Sequence, residues 1–286
     1  MTLLEPSLLA RLERLQLATR RPLAGHLAGE HRSKRHGTSL DFADYREYTP
    51  GDDFRRIDYN LLARLDVLLV KLFEADDELS VRLLVDASAS MGSDGKLEQA
   101  KRLAAALGFV ALVRRDVVSL SRFPHDRRAP RYLGRQAAPR LFGDLEALTA
   151  SGPTEMTAAM VRHLAQPGSA GLTVLLSDLL TPQWEQAIAR PTARGGDLVV
   201  IHVLARTDIE PGLHGDIDVV DREDTSRVPV SLSADTIARY TSAANQWLDA
   251  VAARCRQVGA GYVRVFADDD LERLLLANWR QEGVLR

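Results

Sequence analysis

Three nearly unbroken apolar runs, Val81–Val85, Leu172–Leu176 and Leu198–Leu204, constrain the fold more than any other feature of this chain. A strand with one wet face alternates apolar and polar residues. Runs without alternation belong to strands covered on both faces, as in parallel sheets between layers of helices. Segments of helical period separate these runs. Lys96–Val113 places Leu97, Ala100, Leu103, Ala104 and Leu107 on one face, and 135–148, 154–165, 183–193 and 236–258 also read as helices. The first run belongs to a strand over Leu79–Val85, and further strands are predicted at Val117–Phe123, 131–133 and Tyr262–Phe266, with a last helix at Leu271–Trp279. This order predicts an α/β fold with a doubly wound, mostly parallel, Rossmann-like sheet. Residues 216–232 break the alternation: Val219-Val220 and Val228-Pro229-Val230 flank the charged run Asp221–Asp224. That pattern predicts a hairpin at a sheet edge, where proline is tolerated.

Residues 1–79 follow a different pattern. Residues 3–18 read as an amphipathic helix carrying Leu8, Leu9, Leu12 and Leu15, followed by a basic segment from Arg20 to Lys34. Val67–Phe73 is β-rich, and Asp76-Asp77-Glu78 leads into the strand that ends before Asp86. The expectation is an antiparallel hairpin added to the edge of the main sheet. The chain is thus divided into an N-terminal helix plus β segment, 1–79, packed on an α/β domain, 80–286.

Composition narrows the function classes. At 286 residues and 45% hydrophobic, the chain can bury one large core and a smaller piece. The formal net charge of −2 gives no overall attraction to nucleic acid. Arg20, Arg21, Arg32, Lys34 and Arg35, without interleaved aromatics, read as a solvated loop. One cysteine, Cys255, excludes a disulfide framework. No stretch approaches the ~20 apolar residues of a membrane span, and the first residues lack a signal peptide's basic and apolar regions. The expectation is a cytoplasmic protein with no membrane insertion. His26, His31 and His36 lack zinc-site spacing, and His202, inside a strand, reads as a core histidine. There is no Gly-x-x-x-x-Gly-Lys-Ser/Thr loop and no Gly-x-Ser-x-Gly elbow.

The chemistry concentrates in Asp86-Ala-Ser88-Ala-Ser90-Met91-Gly92, directly behind the first apolar run. Ligands of open α/β sheets bind at the C-terminal ends of strands. One carboxylate and two hydroxyls, alternating along such a loop, converge on one point. Hard oxygen donors without His or Cys suit Mg²⁺, with Mn²⁺ and Ca²⁺ as alternatives.

This loop resembles the metal-ion-dependent adhesion site of the von Willebrand factor A (vWA) domain. In that family Asp-x-Ser-x-Ser is joined by a threonine from a Gly-rich loop and an aspartate ending the central strand. Ser151-Gly152-Pro153-Thr154 and Leu175-Leu176-Ser177-Asp178 follow in the same order here. The resemblance implies a vWA-like fold and a metal site of Asp86, Ser88, Ser90, Thr154 and Asp178, with Thr157 a rival for the threonine role.

The N-terminal motifs resemble the DUF58 family. They are Gly29-Glu30-His31-Arg32-Ser33, Asp44-Tyr45-Arg46-Glu47-Tyr48, Gly51-Asp52-Asp53-Phe54-Arg55-Arg56-Ile57-Asp58-Tyr59 and Ala63-Arg64. Tyr59 stands where the family usually has Trp, and Phe54 where it has Pro. DUF58 proteins are commonly encoded beside MoxR-type AAA+ ATPases, so the resemblance implies such an ATPase, or its client, as partner. Arg46, Gly51, Asp52, Asp53, Arg55, Asp58 and Arg64 read as a structural turn and ion-pair cluster, because a buried charge left unpaired is costly.

Together these features predict a non-enzymatic, metal-dependent protein-interaction module that captures a partner's Asp or Glu. The alternative is a Mg²⁺-dependent phosphohydrolase using Asp86. Phosphatases of the haloacid-dehalogenase type need a second Asp two residues on, where Ser88 stands.

Overall fold

The computed structural model describes residues 3–15, 17, 40–75, 79–124, 129–164, 171–193, 196–222 and 226–279. The basic loop and the three N-terminal histidines singled out above lie outside these residues. The chain divides into two units, residues 22–78 and the remainder. The N-terminal helix groups with the α/β unit rather than with residues 22–78.

In the smaller unit, β1 (Leu40–Glu47) pairs antiparallel with β2 (Leu69–Ala75). The expected hairpin between residues 67–73 and the Asp86 strand does not form. The physical reason lies in the strand that ends at Asp86, β3 (Ser80–Asp86). Both of its edges are taken by parallel neighbours, β4 (Val117–Phe123) and β6 (Leu172–Ser177). No edge is left for residues 69–75, which pair instead with a segment not expected to be a strand.

Between β1 and β2 the motif residues do local work. Gly51 adopts φ 110°, a left-handed turn conformation that favours glycine. Arg46 grips both oxygens of Asp52 at 2.9 and 3.0 Å. Asp53 accepts the Arg55 N–H and opens a short 3₁₀ turn. Asp58 caps α2 (Tyr59–Leu65) through the N–H groups of Asn60 and Leu61. Arg64 sits in the last turn of α2, where a cation suits the helix dipole. Asp58 is buried, accepts the Tyr45 hydroxyl at 3.0 Å and pairs with Lys71 at 3.0 Å. The expected buried cluster is therefore narrower: Asp58 is buried, while Arg46 and Asp52 stand partly in solvent. Lys71 and the other donors hold the Asp58 carboxyl down to about 2. Its stabilisation is present above the ordinary carboxylate range and is lost as pH falls toward 2. Asp58→Ala should raise hydrogen exchange of the α2 amides several-fold, and Asp58→Asn, which keeps the cap, should do so less. Equal exchange in wild type and Asp58→Ala would make the cap dispensable.

The larger unit carries a six-stranded sheet that also contains β5 (Arg131–Leu133), β7 (Asp197–Leu204) and β10 (Gly261–Phe266), in the order β10-β7-β6-β3-β4-β5. Only β5 is antiparallel to its neighbour. The sheet is thus mixed α/β and Rossmann-like, as expected. The hairpin of β8 (Gly215–Val220) and β9 (Arg227–Leu232) forms with Pro229 inside it, but as a separate two-stranded sheet. It is not an edge of the main one, since β10 and β5 occupy both edges.

Helices cover both faces. One layer holds α1 (Pro6–Leu12), α3 (Lys96–Val113), α4 (Ala138–Glu146) and α8 (Leu271–Arg273), which continues as a π-turn through Asn278. Leu8 and Leu12 of α1 pack into this layer, so α3 is buried on almost every side rather than on one face. The other layer holds α5 (Met156–Leu164), α6 (Trp184–Ala193) and α7 (Ala234–Gln257). Cys255 of α7 is buried there, and burial pushes its thiol up to about 11, so it is a packing residue.

The chain leaves β3 toward β4 on one side and returns to β6 on the other. The order therefore reverses between β3 and β6. At such a switch point the connections diverge to opposite faces and open a crevice at the strand ends.

Candidate functional site at the sheet switch point

Register builds the floor of this crevice. Val85 pairs with Leu176, and Ser177 pairs with His202. Asp86, Ser177 and His202 therefore form one row across β3, β6 and β7. All three are fully buried. Asp86 Oδ1 accepts the Ser88 N–H at 2.9 Å, and Oδ2 accepts the Ser177 hydroxyl at 2.5 Å. The Ser177 hydroxyl in turn accepts the Leu179 N–H at 2.9 Å. Leu179 adopts φ 54°, a left-handed conformation costly for a residue with a Cβ. The Ser177 bond and complete burial hold that sharp exit from β6 in place.

The hydroxyls of Ser88 and Ser90 face each other at 3.0 Å. The Thr154 segment is latched beside them by its backbone: Ala89 N–H donates to Gly152 O at 2.9 Å, and Ser151 N–H to Ala87 O at 2.8 Å. Gly92 belongs to the same latch, because a Cβ there would stand 2.9 Å from the Ala150 Cβ. Thr154 lies in the loop before α5. Thr157 lies in the first turn of α5, where its buried hydroxyl has no hydrogen-bond partner among the described residues. Both threonines thus stay in play.

Asp178 has a partner that the sequence did not reveal. Its Oδ2 accepts from Lys96 Nζ at 2.9 Å, and its Oδ1 accepts the Leu180 N–H at 3.2 Å. Lys96 also stands 3.3 Å from Oδ2 of Asp208, which follows β7 and accepts the Ala205 N–H. The Lys96 side chain is only 1% exposed. Burial alone would lower its pKa, but the two carboxylates outweigh burial and raise it.

His202 bonds on both sides. The Asp178 backbone carbonyl, 2.9 Å from Nε2, can only accept, so Nε2 carries the proton. Nδ1 then accepts the Tyr262 hydroxyl at 3.0 Å, and the Trp247 ring stands edge-on at 5.0 Å. Burial pushes His202 down to about 4, so it is neutral at pH 7. It is the core histidine expected, and it also fixes the backbone under Asp178.

Burial, and then repulsion from Asp178, raise the Asp86 carboxyl to about 7 against the opposing pull of Ser177 and Ser88. Two acids are fully buried near each other, and one of them already has a cation. Such an arrangement gains from a second cation beside Asp86. Among the described residues no group of three or more His, Cys, Asp or Glu is placed to hold a metal ion. The donor set is one carboxylate with hydroxyls. Neighbouring oxygens around octahedral Mg²⁺ at about 2.0–2.1 Å lie roughly 3 Å apart. The Ser88–Ser90 separation of 3.0 Å matches that edge. These residues fit a small hard cation.

Of the residues expected in the site, the structure joins Asp86, Ser88 and Ser90 directly. It brings the Thr154 loop against them and sets Asp178 behind them, on Lys96. Ser177, Lys96 and Asp208 were missed. The only signal for Ser177 was its position before Asp178 at the strand end, where alternation aims it at the opposite face. Nothing local marks Lys96 or Asp208.

Fold and site together define a Rossmann-like α/β protein with a buried carboxylate–hydroxyl cluster at its switch point. The chain belongs to the DUF58 family: the family model described as "Protein of unknown function DUF58" matches residues 44–247. The chain is 29% identical over 285 residues to the uncharacterized protein Rv1480 of Mycobacterium tuberculosis (strain ATCC 25618 / H37Rv), covering 93% of this chain and 87% of that protein. The same figures hold for the uncharacterized protein Mb1516 of Mycobacterium bovis. Among solved structures it is similar to the conserved hypothetical protein BatB from Bacteroides thetaiotaomicron, with 17% identity and a TM-score of 0.43, covering 71% of this chain and 98% of that one. An aerotolerance-related membrane protein from Bacteroides fragilis gives 20% identity, the same TM-score of 0.43 and the same coverage of 71% and 98%. Among the described residues of this chain, no helix is long and apolar enough to cross a membrane.

Proposed function

We propose that the larger unit is a vWA-like interaction module. In it Asp86, Ser88, Ser90 and the Thr154 loop hold Mg²⁺ or Mn²⁺, and Asp178 stands behind the ion. The observation that carries this reading is the pair of hydroxyls 3.0 Å apart beside a buried carboxylate, with the Gly152 loop latched to the same turn. When bound, the ion would offer an open coordination position to a partner's Asp or Glu. Asp86 positions the hydroxyl loop through the Ser88 N–H, and Ser177 fixes its other oxygen. Ser88 stands where a phosphatase of the haloacid-dehalogenase type needs its second Asp, which favours binding over the phosphohydrolase reading. A MoxR-type AAA+ ATPase, or its client, is the proposed source of the acidic side chain.

Millimolar Mg²⁺ or Mn²⁺ should raise the melting temperature of the wild type, since binding to the folded state alone stabilises it. Ser88→Ala/Ser90→Ala should lose most of that rise while keeping ion-free stability near wild type. Equal responses in both proteins would reject the site.

A further inference from the structure

The geometry points to Lys96 as a tethered counter-cation that keeps Asp178 out of the divalent ion's ligand set, so that the ion stays electrophilic toward a partner's carboxylate. This rests on the proposed metal reading and adds the residue that sets affinity and partner preference.

Lys96 breaks two local rules. It is the first residue of an 18-residue helix, where the positive end of the dipole disfavours a cation. It is also almost completely buried, which an ammonium tolerates only when paired. Both penalties are offset at one place, between Asp178 at 2.9 Å and Asp208 at 3.3 Å. Asp86 and Asp178 both have each carboxylate oxygen hydrogen-bonded, but the donors on Asp86 are neutral, the Ser88 N–H and the Ser177 hydroxyl, whereas Asp178 already has a cation, Lys96, on Oδ2. The Ser88 and Ser90 hydroxyls are bonded to each other instead, an arrangement that an arriving ion can replace.

Charge follows from this. With Asp178 held by Lys96, a divalent ion has one carboxylate, Asp86, among its own ligands and keeps a unit of positive charge; the second partner of Lys96, Asp208, is 20% exposed, so solvent screens its charge. With Lys96 removed, Asp178 would neutralise the remainder. The ion would then bind more tightly alone and attract an outside carboxylate less. A merely structural lysine would move both properties in the same direction, or neither.

The test is calorimetric titration of the full chain with Mn²⁺, with and without acetate as a one-carboxylate probe. Lys96→Met should bind Mn²⁺ about tenfold tighter or more, because a nearby like charge is lost in a poorly solvated pocket. Lys96→Met/Asp178→Asn removes the neutral pair and should return to within about threefold of wild type. Acetate should tighten Mn²⁺ binding to wild type and to the double variant, but not to Lys96→Met. Unchanged affinity in Lys96→Met, loss of binding in the double variant, or an equal acetate effect in all three proteins overturns the inference and leaves the metal reading standing. If Lys96→Met does not fold, Asp178→Asn decides: it leaves Lys96 without its nearer carboxylate and should weaken Mn²⁺ binding about tenfold, and unchanged affinity overturns the inference. If wild type binds no Mn²⁺ at millimolar ion, the metal reading fails and the inference that rests on it is overturned with it.

Discussion

Asp86→Asn should melt higher than wild type in ion-free buffer at pH 8 and should lose the stabilisation that Mg²⁺ or Mn²⁺ gives the wild type. The substitution keeps the geometry. Asn Oδ1 still accepts the Ser88 N–H, and its amide can donate to the Ser177 hydroxyl, which already accepts from Leu179. The buried charge is what disappears. Burial and Asp178 raise the wild-type carboxyl to about 7, so the folded state keeps a proton that the unfolded chain releases near 4. Stability from this group is fully present below pH 4 and is lost as pH rises through 7. His202 works in the opposite direction: with its folded pKa lowered to about 4, it withdraws stability as pH falls below 6.5. The two slopes oppose each other between about pH 4 and 6.5, which flattens the wild-type profile there. The difference between wild type and Asp86→Asn removes the histidine contribution, and it should widen by several degrees between pH 5 and 8. A difference independent of pH would mean that Asp86 is not a strained acid. A full metal response in the variant would mean that it is not a ligand.

Much of this site was legible because it is written locally. The strands β3, β6 and β7 announce themselves by continuous apolar runs, and the Asp86–Ser90 turn follows the first of them directly. Helix α3 begins and ends where its period predicts, Lys96 to Val113. Its burial all round did not show in that period, because α1 and α4 cover its outer side from distant parts of the chain. Residues 69–75 were misplaced for a related reason. Neighbouring strands in sequence usually pair, but β3 was already occupied on both edges by strands that come later.

The Lys96–Asp178 pair spans 82 positions, and each residue alone reads as something ordinary, a helix-start lysine and a turn acid. Only the juxtaposition of the helix after β3 with the ends of β6 and β7 gives them meaning. The same holds for Asp86 and Ser177, which share a row only once the register of β3 against β6 is known. The side chains proposed to coordinate were visible as a motif. Those that set the charge around them were not.

Association with a MoxR-type AAA+ ATPase, the partner proposed here, should require divalent ion, be reversed by EDTA and vanish in Asp86→Ala/Ser88→Ala. The reason is charge. Asp86 would bring one negative charge to a bound ion and the serine hydroxyls none, and the nearby charge of Asp178 is answered by Lys96. A partner's carboxylate supplies what the shell lacks, whereas water cannot. Such a bond forms at close range in a dry pocket, so raising salt from about 0.1 to 0.3 M should weaken the complex little, since screening acts mainly on exposed charges separated by about 10 Å or more. A complex held by surface ion pairs would behave in the opposite way, insensitive to EDTA and steeply dependent on salt. Pull-down of the purified ATPase on immobilised wild type and double variant, with Mg²⁺ or with EDTA, separates the two mechanisms in one experiment. Retention of the ATPase in EDTA, equal for both proteins, would reject carboxylate capture at Asp86 and assign recognition to another face of the molecule.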